Sequence, residues 1–328
     1  MSRSAVVFNC LLATVFLTTV SLAEAQQPKK VARIGFLSLR PSGPNRNREA
    51  FRQGLRDLGY VEGQNIVVEY QQAGDKADRL PALAADLVGR QVDVIVAGGS
   101  QAVRAAQQAT KSIPIVMTSS SDPVGTGFVA SLARPGGNIT GLSLLSPDLS
   151  GKRLELLTEI VAGVSRVAVL WNPDDPPAAL SLKETQAAAR ALGIKLQSVE
   201  VRGSNDFDSA FTSTIKGHAE AVIILTAPIM NIHAGRIAEF AVKSRLPAIS
   251  YADEFPDAGG LMSYGANLSD SYRRAATYVD KILKGAKPAN LPVEQPTKFE
   301  FVINLKTAKQ IDLAIPQSVL YRADRVIK

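Results

Sequence analysis

The chain has 328 residues, 46% of them hydrophobic, which is enough for one large domain or two ordinary ones and too apolar for a disordered chain. Its formal net charge of +7 comes from 37 Lys and Arg against 30 Asp and Glu, scattered without a long basic block; this describes a solvated surface and argues against nucleic acid as a partner. With Cys10 as the single cysteine, an intramolecular disulfide framework is excluded.

The N-terminus has the pattern of a leader. Arg3 precedes an apolar run over residues 5–22, and Ala23-Glu24-Ala25 supplies a small-x-small exit. A cleavable signal peptide over residues 1–25 is therefore expected, directing the chain to the periplasm. A retained membrane span is the competing reading, but Asn9, Thr14, Thr18, Thr19 and Ser21 interrupt the run. Cys10 follows Phe8-Asn9 and not the small residues that precede a lipidated cysteine. Cleavage removes Cys10 and with it thiol catalysis and thiolate metal sites; the net charge is unchanged, because Arg3 and Glu24 cancel.

Past the leader, residues 31–39 (VARIGFLSL) form a β-type run, and a polar loop over 40–46 leads to a helix over 48–58 closed by Gly59. A strand over 65–70, a helix over 78–88 and a strand over 92–97 follow. The last of these (VDVIVA) is a continuous apolar run before Gly98-Gly99, the form taken by a strand buried on both faces. A helix over 100–110, a strand over 113–117, a short helix from Pro123 to about Leu132 and an extended segment over 139–145 complete a first set. The alternation then restarts: helix 152–161, strand 166–171, helix 178–192, strand 195–201, helix 207–216, strand 221–225, helix 232–244 and strand 247–251. Strand and helix at this spacing mean βαβ units and parallel sheets, hence two successive wound α/β lobes. A Gly-rich stretch over 258–267 leads into a helix over 270–284, and an extended segment over 299–303 precedes a terminal helix that begins near Lys306 and ends before Pro316.

Wound sheets bind ligands beyond the carboxyl ends of their strands. Those ends here carry Ser38, Ser100, Ser121 and Asp122 in the first lobe and Asn172, Thr226 and Tyr251 in the second. Several lie just before a helix, where free backbone N–H groups favour a carboxylate. Ser100 and Asp122 are equally good helix caps. Asp122, Asp253 and Glu254 are candidates to meet a ligand ammonium group, and Trp171 either stacks on a ligand or packs in the core. The Gly-rich stretch is read as a crossing between lobes, with Gly259, Gly260 and Gly265 giving backbone freedom and Ser263 and Tyr264 facing the cleft.

Signs of catalysis are few. There is no nucleophile elbow and no phosphate-loop lysine motif. His218 and His233 lack carboxylates at ligand spacing, so no metal or cofactor is expected. Gly125-Thr126-Gly127-Phe128-Val129-Ala130 matches a dinucleotide fingerprint but follows the fourth strand, with no acidic strand end about 20 residues on.

The segments 51–65 (FRQGLRDLGYVEGQN), 121–124 (SDPV), 134–141 (RPGGNITG), 260–265 (GLMSYG) and 282–288 (ILKGAKP) together resemble the ABC transporter substrate-binding family, whose best-known members are proposed tryptophan and tyrosine receptors. The resemblance runs from Lys30 to Lys328. It implies a periplasmic-binding-protein type I fold with three crossings, near 143–146, 257–264 and 299–304. The lobes would then be 31–145 plus 262–298 and 146–261 plus 299–328. It also implies hinge closure on a small ligand, without chemistry on it, and docking to a membrane permease; the strand-end hydroxyls and helix N-termini suit an amino acid or other small carboxylate as that ligand, and a monomer is expected. A periplasmic sensory module of the same fold and a Rossmann-type oxidoreductase are the alternatives.

Overall fold

The computed structural model describes residues 31–43 and 45–328, so the expected leader over 1–25 lies outside the described residues. The first sheet contains β1 (Ala32–Ser38), β2 (Ile66–Gln72), β3 (Val94–Gly98), β4 (Ile115–Ser120) and β5 (Ile139–Ser143). They are all parallel, in the order β2-β1-β3-β4-β5. Each of the five residues of β3 is buried, as its continuous apolar run requires in a sheet covered on both faces. Along β3 the side chains divide by the two-residue period of a strand: Ile95 and Ala97 join one apolar cluster, Val94 and Val96 the other. The first face is covered by α2 (Leu80–Gly89) and α3 (Ser100–Ala109), the second by α1 (Arg46–Asp57) and α10 (Leu268–Leu283).

The second sheet has the order β12-β11-β10-β9-β8-β6-β7. Its strands are β6 (Arg166–Trp171), β7 (Lys195–Glu200), β8 (Ala221–Ile224), β9 (Ala248–Ser250), β10 (Met262–Ala266), β11 (Phe299–Asn304) and β12 (Arg325–Ile327). Neighbours are parallel except β10 and β11. The helices of this half are α4 (Ser150–Ile160), α5 (Ala178–Leu192), α6 (Phe207–Lys216), α7 (Pro228–Ile232), α8 (Ala234–Lys243), α9 (Glu254–Asp257), α11 (Leu305–Gln310) and α12 (Gln317–Leu320). Residues Ala32–Lys328 form one compact unit.

The segment over 258–267 departs from expectation. Met262 and Ser263 pair with Ile249 and Ser250 of β9, and all of β10 pairs with β11, so 262–266 is a strand of the second sheet and not the start of the first-lobe return. The second crossing falls after Ala266, at Asn267, whose Oδ1 caps α10 by accepting from the Asp270 N–H at 2.9 Å. The third crossing occupies 295–298: Glu294 is still tied to β5 through Ser143 N–H to Glu294 O and Glu294 N–H to Gly141 O, both 2.9 Å, and β11 begins at Phe299. Between β5 and α4 the chain runs over 144–149.

The three glycines of this stretch all precede the crossing, and they have different causes. Gly259 has φ +99° with nothing near a would-be Cβ, and it follows α9. At Gly260 a Cβ would enter the Phe255 ring, and at Gly265 it would meet the Tyr251 carbonyl, so these two are required by close packing and not by freedom.

No helix forms after Pro123. The chain makes one turn there, Thr126 N–H donating to Asp122 O at 3.1 Å, and Gly127 at φ +71° ends it. The Gly125–Ala130 stretch therefore lacks the strand-turn-helix of a dinucleotide cradle. The helix expected over 232–244 begins earlier, at Pro228, and is broken at His233. α12 and β12 had no counterpart in the sequence reading.

Helix α10 returns to pack on α1, with Tyr272, Ala275, Ala276 and Val279 against Phe51 and Leu55. Gly54 is the contact point: a Cβ there would collide with the Arg273 carbonyl and lie 2.9 Å from Ala276 Cβ. Helix propensity favours alanine over glycine by about 1 kcal/mol, but backbone cannot yield as a side chain can. Gly54→Ala is expected to destabilise the chain by about 1–3 kcal/mol in urea unfolding; a stabilised variant would contradict the helix contact.

Candidate functional site

The carboxyl ends of the two sheets face each other across a cleft of about 490 Å³, its open mouth included. From the first half it is lined by Ser38, Arg40, Asn47, Gly98, Gly99, Ser100, Ser119, Ser121 and Tyr272, and from the second by Asp175, Thr226, Pro228, Asn231 and Tyr251. Leu39, Leu144 and Leu268 add apolar surface.

Glycines let the walls come together. A Cβ on Gly98 would lie 2.6 Å from Tyr272 Oη, and one on Gly99, at φ +92°, would lie 2.8 Å from Pro228 Cγ on the opposite wall. Gly99 also precedes α3 without a capping side chain, so the first-turn N–H groups of α3 open towards the cleft. Ser38 Oγ and Ser121 Oγ are buried beside them without hydrogen-bond partners. The donors at this wall suit an anion.

The opposite wall carries a buried acid. Asp175 is 2% exposed, its Oδ1 has no hydrogen-bond partner among the described residues, and burial pushes its carboxyl up to about 8. Tyr251 stands near it and donates its hydroxyl to Ala227 O at 3.0 Å; burial raises the Tyr251 pKa well above the usual phenol range. Thr226 Oγ1 bonds to Ser146 Oγ. Behind them Arg153, 1% exposed, donates from Nε to Tyr264 O at 2.8 Å and from Nη1 to Ser146 O at 3.3 Å. No ion pair joins it to a carboxylate among the described residues, and burial pushes its pKa down to about 10, so it stays cationic at neutral pH.

Ion pairs close the rim. Glu254 at the start of α9 accepts from Arg40 at 3.0 Å and from Asn47 Nδ2 at 2.9 Å, while Arg46 reaches Asp253 at 2.5 Å and Asp257 at 3.1 Å. His233 Nε2 lies 3.4 Å from Asp75 Oδ2, also across the cleft. Each partly exposed pair contributes at most about 1 kcal/mol, so the rim pairs add only modest attraction between the walls.

Of the residues singled out from sequence, Ser38, Ser100, Ser121, Thr226 and Tyr251 line this cleft. Asp122 does not; its Oδ1 caps a turn by accepting from the Gly125 N–H at 2.8 Å, and it borders a separate depression. Asn172 is buried and braces its own loop, Oδ1 accepting from Asp174 N–H at 2.9 Å. Ser263 is buried inside β10, and Tyr264 packs on Phe299 and Phe301 with ring centroids 6.2 Å away in each case. Trp171 packs against the second-sheet core and not in the cleft. Asp253 and Glu254 are spent on arginines. The sequence reading passed over Asn47, Asp175, Asn231 and Tyr272 as cleft residues and placed Arg40 at the cleft mouth. Asp175 lay in the Pro-rich loop after β6, whose place at a strand end was the available signal. Among the described residues no group of three or more His, Cys, Asp or Glu is placed to hold a metal, and no helix is long and apolar enough to cross a membrane.

Comparison with known proteins places this cleft in context. Residues 38–327 match a family model described as ABC transporter substrate binding protein. A tyrosine-binding protein of Clostridioides difficile is 27% identical over 288 residues, covering 87% of this chain and 82% of that protein. A conserved domain protein of Vibrio cholerae superposes with a TM-score of 0.85 at 30% identity, over 90% of this chain and 100% of that one. A Streptococcus domain solved in complex with L-Trp superposes with a TM-score of 0.82 at 26% identity, again over 90% and 100%. The two-lobed parallel-sheet architecture is that of type I periplasmic binding proteins.

The buried acid has a consequence for stability. An aspartate raised from its unfolded pKa of about 3.9 to about 8 in the fold holds more protons when folded, so its stabilising effect is complete below about pH 4 and is lost as pH rises towards 8. Asp175→Asn should remove that decline. Ligand-free protein carrying it is expected to unfold at higher denaturant than the native chain at pH 8, by roughly 1–3 kcal/mol, and to show no such gain at pH 4. Equal gains at both pH values would show that the carboxyl is not buried in its charged form.

Proposed function

The chain belongs to the ABC transporter substrate-binding protein family, and from that premise we propose that it is an exported periplasmic receptor that captures one small solute in the cleft and hands it to an ABC importer permease. The observation that carries this reading is the cleft itself, with polar strand ends from two sheets facing each other and ion pairs across the rim. Hinge closure is the mechanism. The backbone changes fall at the crossings 144–149, 266–267 and 295–298, while the two sheets move as bodies. Arg153 limits that motion by tying the first crossing, at Ser146, to β10 of the second sheet, at Tyr264.

The ligand is an amino acid or other small carboxylate. Support comes from the open N-terminus of α3, where Ser38, Ser100 and Ser121 add hydroxyls for a carboxylate, and from the named ligands of two relatives, tyrosine and L-Trp. Rim pairing then adds the closing bias, and the permease reads the closed form.

A library of small metabolites, scanned by thermal shift and by small-angle scattering on the purified protein, tests the proposal. One class of ligand is expected to raise the unfolding midpoint and shrink the radius of gyration with a stoichiometry of one. A library that produces neither change contradicts it.

A further inference from the structure

Resting on the solute-receptor reading, we infer that His233 and Asp75 form a proton-operated latch between the lobes: a proton taken up by His233 pairs the imidazolium with the Asp75 carboxylate and favours the closed arrangement. The two groups come from different halves. Asp75 follows β2 of the first sheet, and His233 sits at the break between α7 and α8. His233 Nε2 lies 3.4 Å from Asp75 Oδ2, and the two side chains are 20% and 22% exposed. Nε2 is buried and has no hydrogen-bond partner among the described residues. A charge-assisted hydrogen bond is about 2.7–2.9 Å long, so the nitrogen is within reach of the acid without being bonded to it.

Backbone holds both groups in place. Asp75 N–H donates to Leu39 O and Ala73 N–H to Ser38 O, both at 2.9 Å, so the first wall of the cleft carries the acid. Asp75 stands at φ +70°, a left-handed conformation that aspartate and asparagine tolerate. His233 N–H donates to Ile229 O at 3.1 Å, its carbonyl accepts from Ile237 N–H at 3.0 Å, and its ring packs on Phe207 with centroids 5.0 Å apart. Leu39 and Ala73 of one half share an apolar cluster with Ile229 and Met230 of the other. The pair therefore borders an apolar seam, where charges are screened less than in water.

The other charged groups nearby are engaged or exposed. Arg236, one turn along α8, lies over the same Phe207 ring but pairs with Asp208 at 2.5 Å and donates to Ser204 O at 2.8 Å. Arg79 donates to Ala73 O at 3.1 Å, and Lys76 and Asp78 are exposed and opposite in sign. Glu254, beyond Asn231, holds Arg40.

Histidine side chains change charge between about pH 5 and 8, and the imidazolium donates from both ring nitrogens. With the lobes apart, water solvates both groups. With them together, an opposite charge within about 4–6 Å favours the imidazolium. Closing therefore takes up a proton, and by linkage a falling pH favours closing. The added tendency to close is greatest near pH 5 and is lost towards pH 8.

The test uses the purified, ligand-free native chain, with small-angle scattering at pH 5.5 and pH 8. The radius of gyration is expected to be smaller at pH 5.5; equal values overturn the inference, and this comparison needs no variant. The change is expected to persist in His218→Gln, at the exposed second histidine, and in Asp175→Asn, which removes the other group titrating in this range. It is expected to vanish in His233→Gln and in Asp75→Asn, which suits the left-handed backbone; a pH response that survives in either, or that Asp175→Asn abolishes, overturns the latch. Urea unfolding of the two single variants and the double variant then reads the pair itself. Their effects on the unfolding constant are expected to be non-additive by about 3–10-fold at pH 5.5 and additive at pH 8; additivity at both pH values overturns the pairing. If a small metabolite compacts the chain and ligand-free dimensions ignore pH, the latch fails and the receptor reading stands. If no metabolite compacts it while the pH response and the coupling hold, the receptor reading fails and the latch stands.

Discussion

Burying the Asp175 carboxylate with no counter-charge disfavours its ionised form, and much of the surrounding structure is intelligible as a response to that constraint. The same half of the chain buries a second charge, Arg153, but treats it differently. Its guanidinium finds the carbonyls of Ser146 in the first crossing and Tyr264 in β10, so its burial is satisfied by structure. The acid has no such fixed donor at Oδ1 among the described residues.

The rest of the architecture brings walls to that acid. Parallel strands end on one side of each sheet, so a chain that winds two sheets and turns them towards each other gathers its polar strand-end residues in one place. Closeness requires missing side chains, and Gly98 and Gly99 provide it against Tyr272 and Pro228. The rim pairs of Arg40 and Arg46 with the acids of α9 add modest attraction. Those pairs are partly exposed and screened by salt, so their contribution is small. The apolar cluster that includes Leu39 and Ala73 continues into Ala227, Ile229 and Met230 of the other half, so the halves also meet through packing.

The wound α/β lobes were legible because period-two and period-3.6 patterns are local. The helices at Ala178–Leu192 and Phe207–Lys216 follow from their own apolar spacing and stops, and the buried strand at Val94–Gly98 from its unbroken apolar run. What failed was non-local. β10 contains Gly265 and follows Gly259-Gly260, so it reads as a loop; it is a strand because β9 and β11 flank it, and β11 begins 33 residues after Ala266. β12 has three residues and is defined only by its partner. Of the strand-end residues, Ser38, Ser100, Ser121, Thr226 and Tyr251 come to line the cleft, since backbone topology alone decides which ends converge. Asn172 and Asp122 bond within their own turns, and Asp175, four residues beyond the end of β6, lines the cleft although no local pattern says which of two adjacent aspartates turns inward. Tyr272 is core on one side and cleft on the other, a division its helical position alone does not reveal.

A crystal structure of the protein grown with the amino acid that binds it most tightly tests the central claim most directly. The account predicts the halves closed over one ligand seated in the cleft, its carboxylate at the first turn of α3. A ligand bound outside the cleft, or one held in it with its carboxylate away from α3, would contradict it.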